Sequence, residues 1–141
     1  MSFEDILRRN PNLTLRDLQE LQGNYDRRFI AKKGFVGFDK VRHTYAHLGK
    51  LIGRLADYIH DMEENRTDVS EEDIKTKVIP DLLVYSAWLA EEFGVDIEHA
   101  YLTRFVENLK RLYAGKISPE EFQSLEDCVR AKINKNNQKK N

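Results

Sequence analysis

The sequence has little cysteine and no long apolar run, and each shortage excludes a class of protein, while its scarce proline is typical of a mostly helical chain. Of its 141 residues, one is cysteine and three are proline. The single thiol, Cys128, cannot form an internal disulfide or a zinc cluster, which is typical of a reducing, cytoplasmic compartment. No segment approaches the ~18 apolar residues of a membrane span, and residues 1–5 do not resemble a signal peptide. We therefore expect a cytoplasmic protein that does not enter the membrane.

A charge excess is also missing. The 23 Lys and Arg residues nearly balance the 24 Asp and Glu residues, which gives a net charge of −1. A dedicated nucleic-acid-binding protein normally carries a basic excess, so no nucleic-acid partner is expected. The length fits one domain that can fold without disulfides or metal.

Helix signals dominate what is present. Thr14 and Asp17 form a capping pattern that predicts a helix to about Phe29, followed by a loop over residues 31–38. A long helix is predicted from Asp39 to about Glu63. Its apolar residues recur at spacings of 4 and 3, as one inward face: Val41, Tyr45, Leu48, Ile52, Leu55, Ile59 and Met62. A second strip of small residues predicts close approach of another backbone: Ala46, Gly49, Gly53 and Ala56.

Three further helices are predicted. Ser70 caps the first, in which Pro80 either kinks the helix or begins a second piece. Gly94 ends it, Asp96 caps the next, and Ser118 with Pro119 begins the last. The inward residues are predicted to be Ile74, Val78, Leu82, Tyr85, Leu89 and Phe93, then Ile97, Tyr101, Phe105, Leu109 and Leu112. The fold class is therefore all-α.

Four motifs in this order resemble the MazG-like branch of the all-α nucleoside triphosphate pyrophosphohydrolases, relatives of the dimeric dUTPases. They are Ala46-His47-Leu48-Gly49-Lys50-Leu51, Pro80-Asp81-Leu82-Leu83-Val84-Tyr85, Gly94-Val95-Asp96-Ile97-Glu98-His99-Ala100-Tyr101 and Arg104-Phe105-Val106-Glu107-Asn108-Leu109-Lys110-Arg111. The resemblance implies a four-helix-bundle-like core over residues 13–113 and a homodimer or homotetramer. An extension (1–12), a capping helix (114–133) and a disordered tail (134–141) would flank that core.

The chain departs from the metal motif of the family it resembles. That motif is Glu-Glu-x-x-Glu on one helix and Glu-x-x-Asp on the next, and active members bind Mg²⁺. The matching positions here are Ala46, His47, Lys50, Val78 and Asp81, of which only Asp81 is acidic. Because Mg²⁺ prefers a shell of oxygen ligands, ordinary Mg-dependent hydrolysis is predicted to be lost, and no cofactor is expected.

The phosphate-facing helix of that family is better matched. Arg104, Asn108 and Arg111 stand at the spacing of 4 and 3 of its basic, Asn and basic positions, and Lys50 would join them as a nucleotide or phosphate contact. The alternative interpretation of the three residues on this helix is an ordinary solvated face of an amphipathic helix.

A polar stripe on the long helix also has two interpretations. It consists of His43, His47, Lys50, Arg54, Asp57 and Asp61. The stripe could bind an anion without metal, or it could be a solvated edge crossed by weak ion pairs. His43 and His47 could also hold Zn²⁺ if Asp81 supplied a third ligand. Tyr85 and Trp88 are interpreted as core or interface residues.

Three functional hypotheses follow. The first is a nucleotide- or anion-binding or assembly module with a degenerate active site. The alternative is an active (d)NTP pyrophosphohydrolase that releases NMP and pyrophosphate, with Mg²⁺ held by a rearranged set: Asp81, His47, Asp57 and Asp61. The third is a homo-oligomer without a small ligand, associated through the strip of small residues.

Overall fold

The computed structural model describes residues 3–9, 12–66, 71–112, 116 and 118–138, and it confirms the all-α prediction. No β-strand occurs among these residues. The helices are α1 (Phe3–Arg9), α2 (Leu15–Tyr25), α3 (Gly37–Glu63), α4 (Glu71–Asp73), α5 (Ile79–Glu92), α6 (Ile97–Leu112) and α7 (Pro119–Gln138). Within the described ranges, none of these helices has both the length and the apolarity of a membrane span. The predicted cap Ser70 lies outside the described residues.

The chain divides into two compact units, Met1–Val95 and Asp96–Asn141. The division falls inside the segment 13–113 that the sequence predicts as one domain. In the first unit, α5 packs against both α2 and α3. In the second unit, α6 packs against α7.

The start of α2 follows the predicted capping pattern. The backbone N–H of Asp17 donates to the Thr14 hydroxyl (3.1 Å), and the backbone N–H of Thr14 donates to the Asp17 carboxylate (2.9 Å). The helical path continues past the predicted end at Phe29, through a π-helical turn (Asp26–Ile30) and a 3₁₀ turn (Ala31–Lys33). It ends at Gly34, whose φ of 84° is readily adopted only by glycine. Much of the predicted loop is therefore helical.

Pro80 lies at the start of α5, directly after a wider helical turn. A π-helical turn, Ile74–Val78, precedes α5, which begins at Ile79. Proline has no N–H to donate to the preceding turn, and a π turn re-registers the hydrogen bonds at that point. The predicted second piece is thus present, and it begins one residue before Pro80.

The structure contradicts the inward prediction for four of the seven residues in the apolar stripe of α3, while Val41, Leu48 and Leu55 are half-buried. Tyr45, Ile52, Ile59 and Met62 are all more than half exposed, and the fully buried positions of α3 are instead Lys40, Thr44 and Leu51. Both sets follow helical spacing, but their mean directions differ by roughly 80° around α3. The first unit therefore packs against a different side of α3 than its apolar pattern indicates.

The strip of small residues on α3 is open as well. A Cβ built at Gly49 or Gly53 would meet nothing within 4 Å, and Ala46 and Ala56 are exposed. The backbone that the sequence predicts against this strip is therefore not supplied by the described part of the chain.

Buried charges link three segments of the first unit. The Lys40 ammonium on α3 forms an ion pair with Asp26 in the π-helical turn and a longer one with Glu92 on α5 (3.5 Å). The Lys40 and Asp26 side chains are less than a tenth exposed. We call Lys40, Asp26 and Glu92 the buried charge cluster. It fixes the N-terminal part of α3 against α5.

The second unit differs from its predicted pattern in two respects. Tyr101 and Phe105 of the predicted inward stripe are exposed, whereas Val106 is buried. In addition, α7 continues to Gln138, five residues into the segment predicted to be disordered. Lys110 on α6 pairs with Glu126 on α7 at 2.9 Å, and this contact holds the pKa of the Glu126 carboxyl below its usual value.

Candidate functional site

The α5-facing side of α3 carries a cluster of imidazole and aromatic rings. His43 lies against Phe35 and against His47, with ring centroids 4.4 Å apart in both pairs. His47 in turn contacts Tyr85 at 5.0 Å, and His43 lies 6.0 Å from Trp88 in a stacked orientation. We call these five residues the imidazole–aromatic cluster.

Helical spacing brings these rings together. His43 and His47 are four residues apart on α3, so one imidazole lies above the other. Tyr85 and Trp88 are three residues apart on α5, and their rings meet edge to face at 5.6 Å. Two short-range pairs on adjacent helices thus produce a cluster that neither helix has alone.

The surroundings of His47 disfavour its protonated form. Burial, and then the neighbouring charges of His43 and Lys50, lower the pKa of His47 below 6.5, while Asp81 opposes them. The net lowering means that the surroundings disfavour an additional positive charge on this ring. A bound anion would reverse that effect.

Asp81 faces the same cluster from α5. Its charge opposes the lowering of the pKa of His47. The same charge adds to the effect of burial, which raises the pKa of Tyr85. Asp81 is half-buried, and it precedes Tyr85 by four residues on one face of the helix. It is therefore the acidic member of the site.

Two of the motif positions, Val78 and Lys50, lie in opposite surroundings. Val78 is only 1% exposed and belongs to the hydrophobic core, so it does not border a ligand site. Lys50 is exposed, next to the half-buried His47. Of the positions that match the family metal motif, His47, Lys50 and Asp81 are the ones that act electrostatically together.

The residues of the rearranged metal set do not converge. Asp57 and Asp61 follow His47 on α3 by ten and fourteen residues, which corresponds to about 15 Å and about 21 Å along the helix axis. Asp61 is paired with Arg66 at 3.4 Å. Within the described ranges, no three His, Cys, Asp or Glu side chains are grouped so that they could hold a metal ion, and this includes His43, His47 and Asp81.

The predicted phosphate contacts on α6 belong to the second unit. Arg104 forms an ion pair with Glu107 at 3.1 Å, and Arg111 donates to the Asn108 side chain at 3.4 Å. Arg104 is well exposed. The three predicted residues thus form a solvated face with local partners, and this arrangement still offers cationic groups to solvent.

Sequence reasoning placed the histidines in a candidate site but missed the aromatic residues around them. Trp88 is buried, as its interpretation as a core residue requires, yet its indole Nε1 has no hydrogen-bond partner among the described residues. The signal was available, because Asp81, Tyr85 and Trp88 recur at spacings of 4 and 3 on α5.

Comparison of the chain with protein-family models, with curated proteins and with solved structures gave no match. The interpretation of the site therefore depends on its own geometry and on the motifs of the sequence.

Proposed function

We propose that the chain is a cytoplasmic, MazG-like helical module that binds a phosphate-bearing ligand, foremost a nucleotide, without ordinary Mg-dependent hydrolysis. In this proposal the core is four-helix-bundle-like and the molecule is a homodimer or homotetramer. One observation carries the ligand class: the exposed Lys50 lies near the half-buried His47, whose pKa is lowered by burial and then by the charges of His43 and Lys50, against Asp81.

A phosphate group suits these surroundings for two physical reasons. The ammonium group of Lys50 is exposed and can form charge-assisted hydrogen bonds with phosphate oxygens. The imidazole of His47 can add an N–H donor, and it would gain a proton more readily beside an anion. A divalent cation, in contrast, would enter a region that already disfavours positive charge.

The test is a titration of the full chain with inorganic pyrophosphate and with a panel of nucleoside triphosphates, followed by NMR of the histidine ring signals. We expect binding to raise the pKa of His47, and Lys50→Gln to weaken binding. Lys33→Gln, which alters an exposed lysine in another segment, is the matched control. Unchanged His47 signals at saturating ligand would contradict the proposal.

Arg104, Asn108 and Arg111 are proposed as further phosphate contacts on the second unit. Support comes from their common helical face and from the exposure of Arg104. Arg104→Ala and Arg111→Ala should then each weaken nucleotide binding. Affinities equal to that of the unaltered chain would favour the solvated-face interpretation.

The alternative function is hydrolysis of a (d)NTP with Mg²⁺ at a rearranged site. The position of Asp81 favours this alternative, because the one remaining acidic motif residue faces His47 and Tyr85. Pyrophosphate release in the presence of Mg²⁺ or Mn²⁺ would then be lost in Asp81→Ala. It should survive in Asp57→Ala, since Asp57 lies about 15 Å along α3 from His47. If a folded sample releases no pyrophosphate, the proposal of a binding module is retained and the alternative is rejected.

Self-association is supported by the apolar surface of α3. Large apolar side chains along this helix are exposed, next to open glycines. A continuous apolar surface of this kind is typical of an interface. Sedimentation analysis should therefore find a dimer or tetramer, and a monomer at every concentration would contradict this part of the proposal.

A further inference from the structure

One side of α3 carries a regular apolar seam that no described residue of its own unit covers. Phe38, Tyr45, Ile52 and Ile59 recur every seven residues and are between 56% and 78% exposed. The intervening positions at the same spacing are Arg42, Gly49, Ala56 and Glu63. We call these eight residues the outer seam. By helical spacing, it lies on the side of α3 opposite His43 and His47.

The seven-residue repeat is the geometry of a helix that pairs with another helix. Large side chains every seven residues form a straight contact line along a slightly supercoiled pair. From Phe38 to Ile59 this line is about 32 Å long. Gly49 and Ala56 alternate with the large side chains, so a second helix can approach closely and its large residues can fit between them.

Charge identifies the occupant and its direction. Arg42 and Glu63 are both exposed at opposite ends of the outer seam, and Ile52 and Gly53 lie midway between them. In an antiparallel pair of identical helices, Arg42 of each copy would lie opposite Glu63 of the other. In a parallel pair, Arg42 would lie beside Arg42 of the other copy, and Glu63 beside Glu63. The surface is thus complementary to itself in one orientation only.

We propose that two copies of the chain associate through α3 in an antiparallel pair whose two-fold axis passes near Ile52. This inference rests on the self-association in the proposed function, and it adds the surface and the orientation. Because the imidazole–aromatic cluster is on the other side of α3, pairing leaves the candidate ligand site accessible.

The first experiment measures the dimer dissociation constant by sedimentation equilibrium. Ile52→Glu places a carboxylate in the centre of the interface in both copies, and we expect a loss of affinity of about a hundredfold or more. Ile52 is already exposed, so the fold should be retained, and circular dichroism verifies this. Arg54→Glu, on another side of α3, is the control and should leave the constant unchanged.

The orientation is tested by charge exchange. Arg42→Glu and Glu63→Arg should each weaken the dimer by about tenfold, because each creates two like-charge contacts in an antiparallel pair. The double exchange should restore the original affinity. Additive losses in the double variant would overturn the antiparallel orientation.

Cross-linking provides an independent measurement of direction. In a Cys128→Ser background, Tyr45→Cys and Ile59→Cys place one thiol each at one heptad before and after Ile52. A mixture of the two variants should form disulfide-linked heterodimers, whereas each variant alone should not cross-link. Efficient cross-linking of each variant alone indicates a parallel pair and overturns the inference.

The failures of the two proposals are distinguishable. A dimer that persists in Ile52→Glu overturns the outer seam and leaves self-association through another surface intact. A chain that is monomeric at every concentration overturns both.

Discussion

Two clusters on α3 face α5, and they differ in how their charges are balanced. In the buried charge cluster, one ammonium, that of Lys40, has two carboxylate partners. Beside the imidazole–aromatic cluster, Lys50 is a cationic group and Asp81 an acidic group that act on His47, and His43 adds a positive charge when it is protonated. In the first cluster the ammonium is buried and paired directly with carboxylates, whereas the ammonium of Lys50 beside the second cluster is exposed to solvent.

This difference separates a structural role from a binding role. A buried ammonium is costly unless carboxylates compensate it, and the compensation then depends on the folded arrangement of three segments. An exposed ammonium such as that of Lys50 stays hydrated, so it costs little in water, and it can attract anions. The comparison therefore predicts large effects on stability at Lys40 and effects on ligand binding at Lys50.

The largest effect is expected from Lys40→Met. It removes the cation but leaves the carboxylates of Asp26 and Glu92 in place, and Asp26 is buried. Breaking a buried ion pair in this way typically lowers the free energy of unfolding by about 3–5 kcal/mol. Urea denaturation followed by circular dichroism measures the change.

Lys50→Met is the matched control, because Lys50 is an exposed lysine on the same helix. Its free energy of unfolding should remain within about 0.5 kcal/mol of the original value. Equal effects of the two substitutions would show that the two clusters do not differ in the way described.

The next effect is a pH dependence of stability at His47. Its pKa in the folded chain lies below 6.5, its value when unfolded, so the unfolded state binds the proton first as the pH falls. The free energy of unfolding should therefore decrease as the pH is lowered from about 7 through 6.5 to the folded pKa, and level off below it. His47→Gln should remove this part of the slope.

His60→Gln is the control for this prediction. His60 is exposed near the end of α3 and contacts Glu64 at 3.1 Å, away from the imidazole–aromatic cluster. The variant should retain the decrease in stability between pH 7 and the folded pKa of His47. If the pH dependence disappears in His60→Gln and persists in His47→Gln, the assignment of the effect to His47 is wrong.

The two clusters also show what sequence reasoning could predict. His43 and His47 were placed on one helical face because their spacing depends only on α-helix geometry. The buried charge cluster was missed because Asp26, Lys40 and Glu92 are far apart in the sequence, and each alone resembles a surface charge. Contacts of this kind depend on how helices pack together. The periodicity within one helix carries no information about that packing.

The outer seam illustrates the same limit. The spacing of Tyr45, Ile52 and Ile59 correctly predicted an apolar face, but it did not predict what covers that face. The inward assignment was wrong because periodicity reports that a surface is apolar, and a surface buried within the chain has the same pattern as one kept for a partner. Val78 shows the opposite case, in which a position matched to a ligand motif belongs to the core.

A smaller and more local effect is expected on the pKa of His47 itself. Lys50→Gln removes one of the charges that lower it, so the pKa should rise, whereas Asp81→Asn removes the opposing charge and should lower it further. NMR titration of the histidine ring signals measures both. If both variants shift the pKa of His47 in the same direction, Lys50 and Asp81 do not have opposite effects on it.

The smallest expected effect concerns Tyr85. Burial raises the pKa of its phenol, and the charge of Asp81 adds to that rise. Asp81→Asn should therefore lower the pKa of Tyr85 slightly, while burial continues to hold it above its usual value. NMR titration of the isotopically labelled tyrosine rings measures this change.

The same substitution thus tests whether one carboxylate acts on both rings. Since Asp81 raises the pKa of His47 as well as that of Tyr85, its removal should lower both. If Asp81→Asn changes only one of the two pKa values, Asp81 acts on one ring and not on both. A joint decrease would place Asp81 where a phosphate group bound by Lys50 and His47 must compete with it, and Asp81→Asn should then bind pyrophosphate more tightly than the unaltered chain.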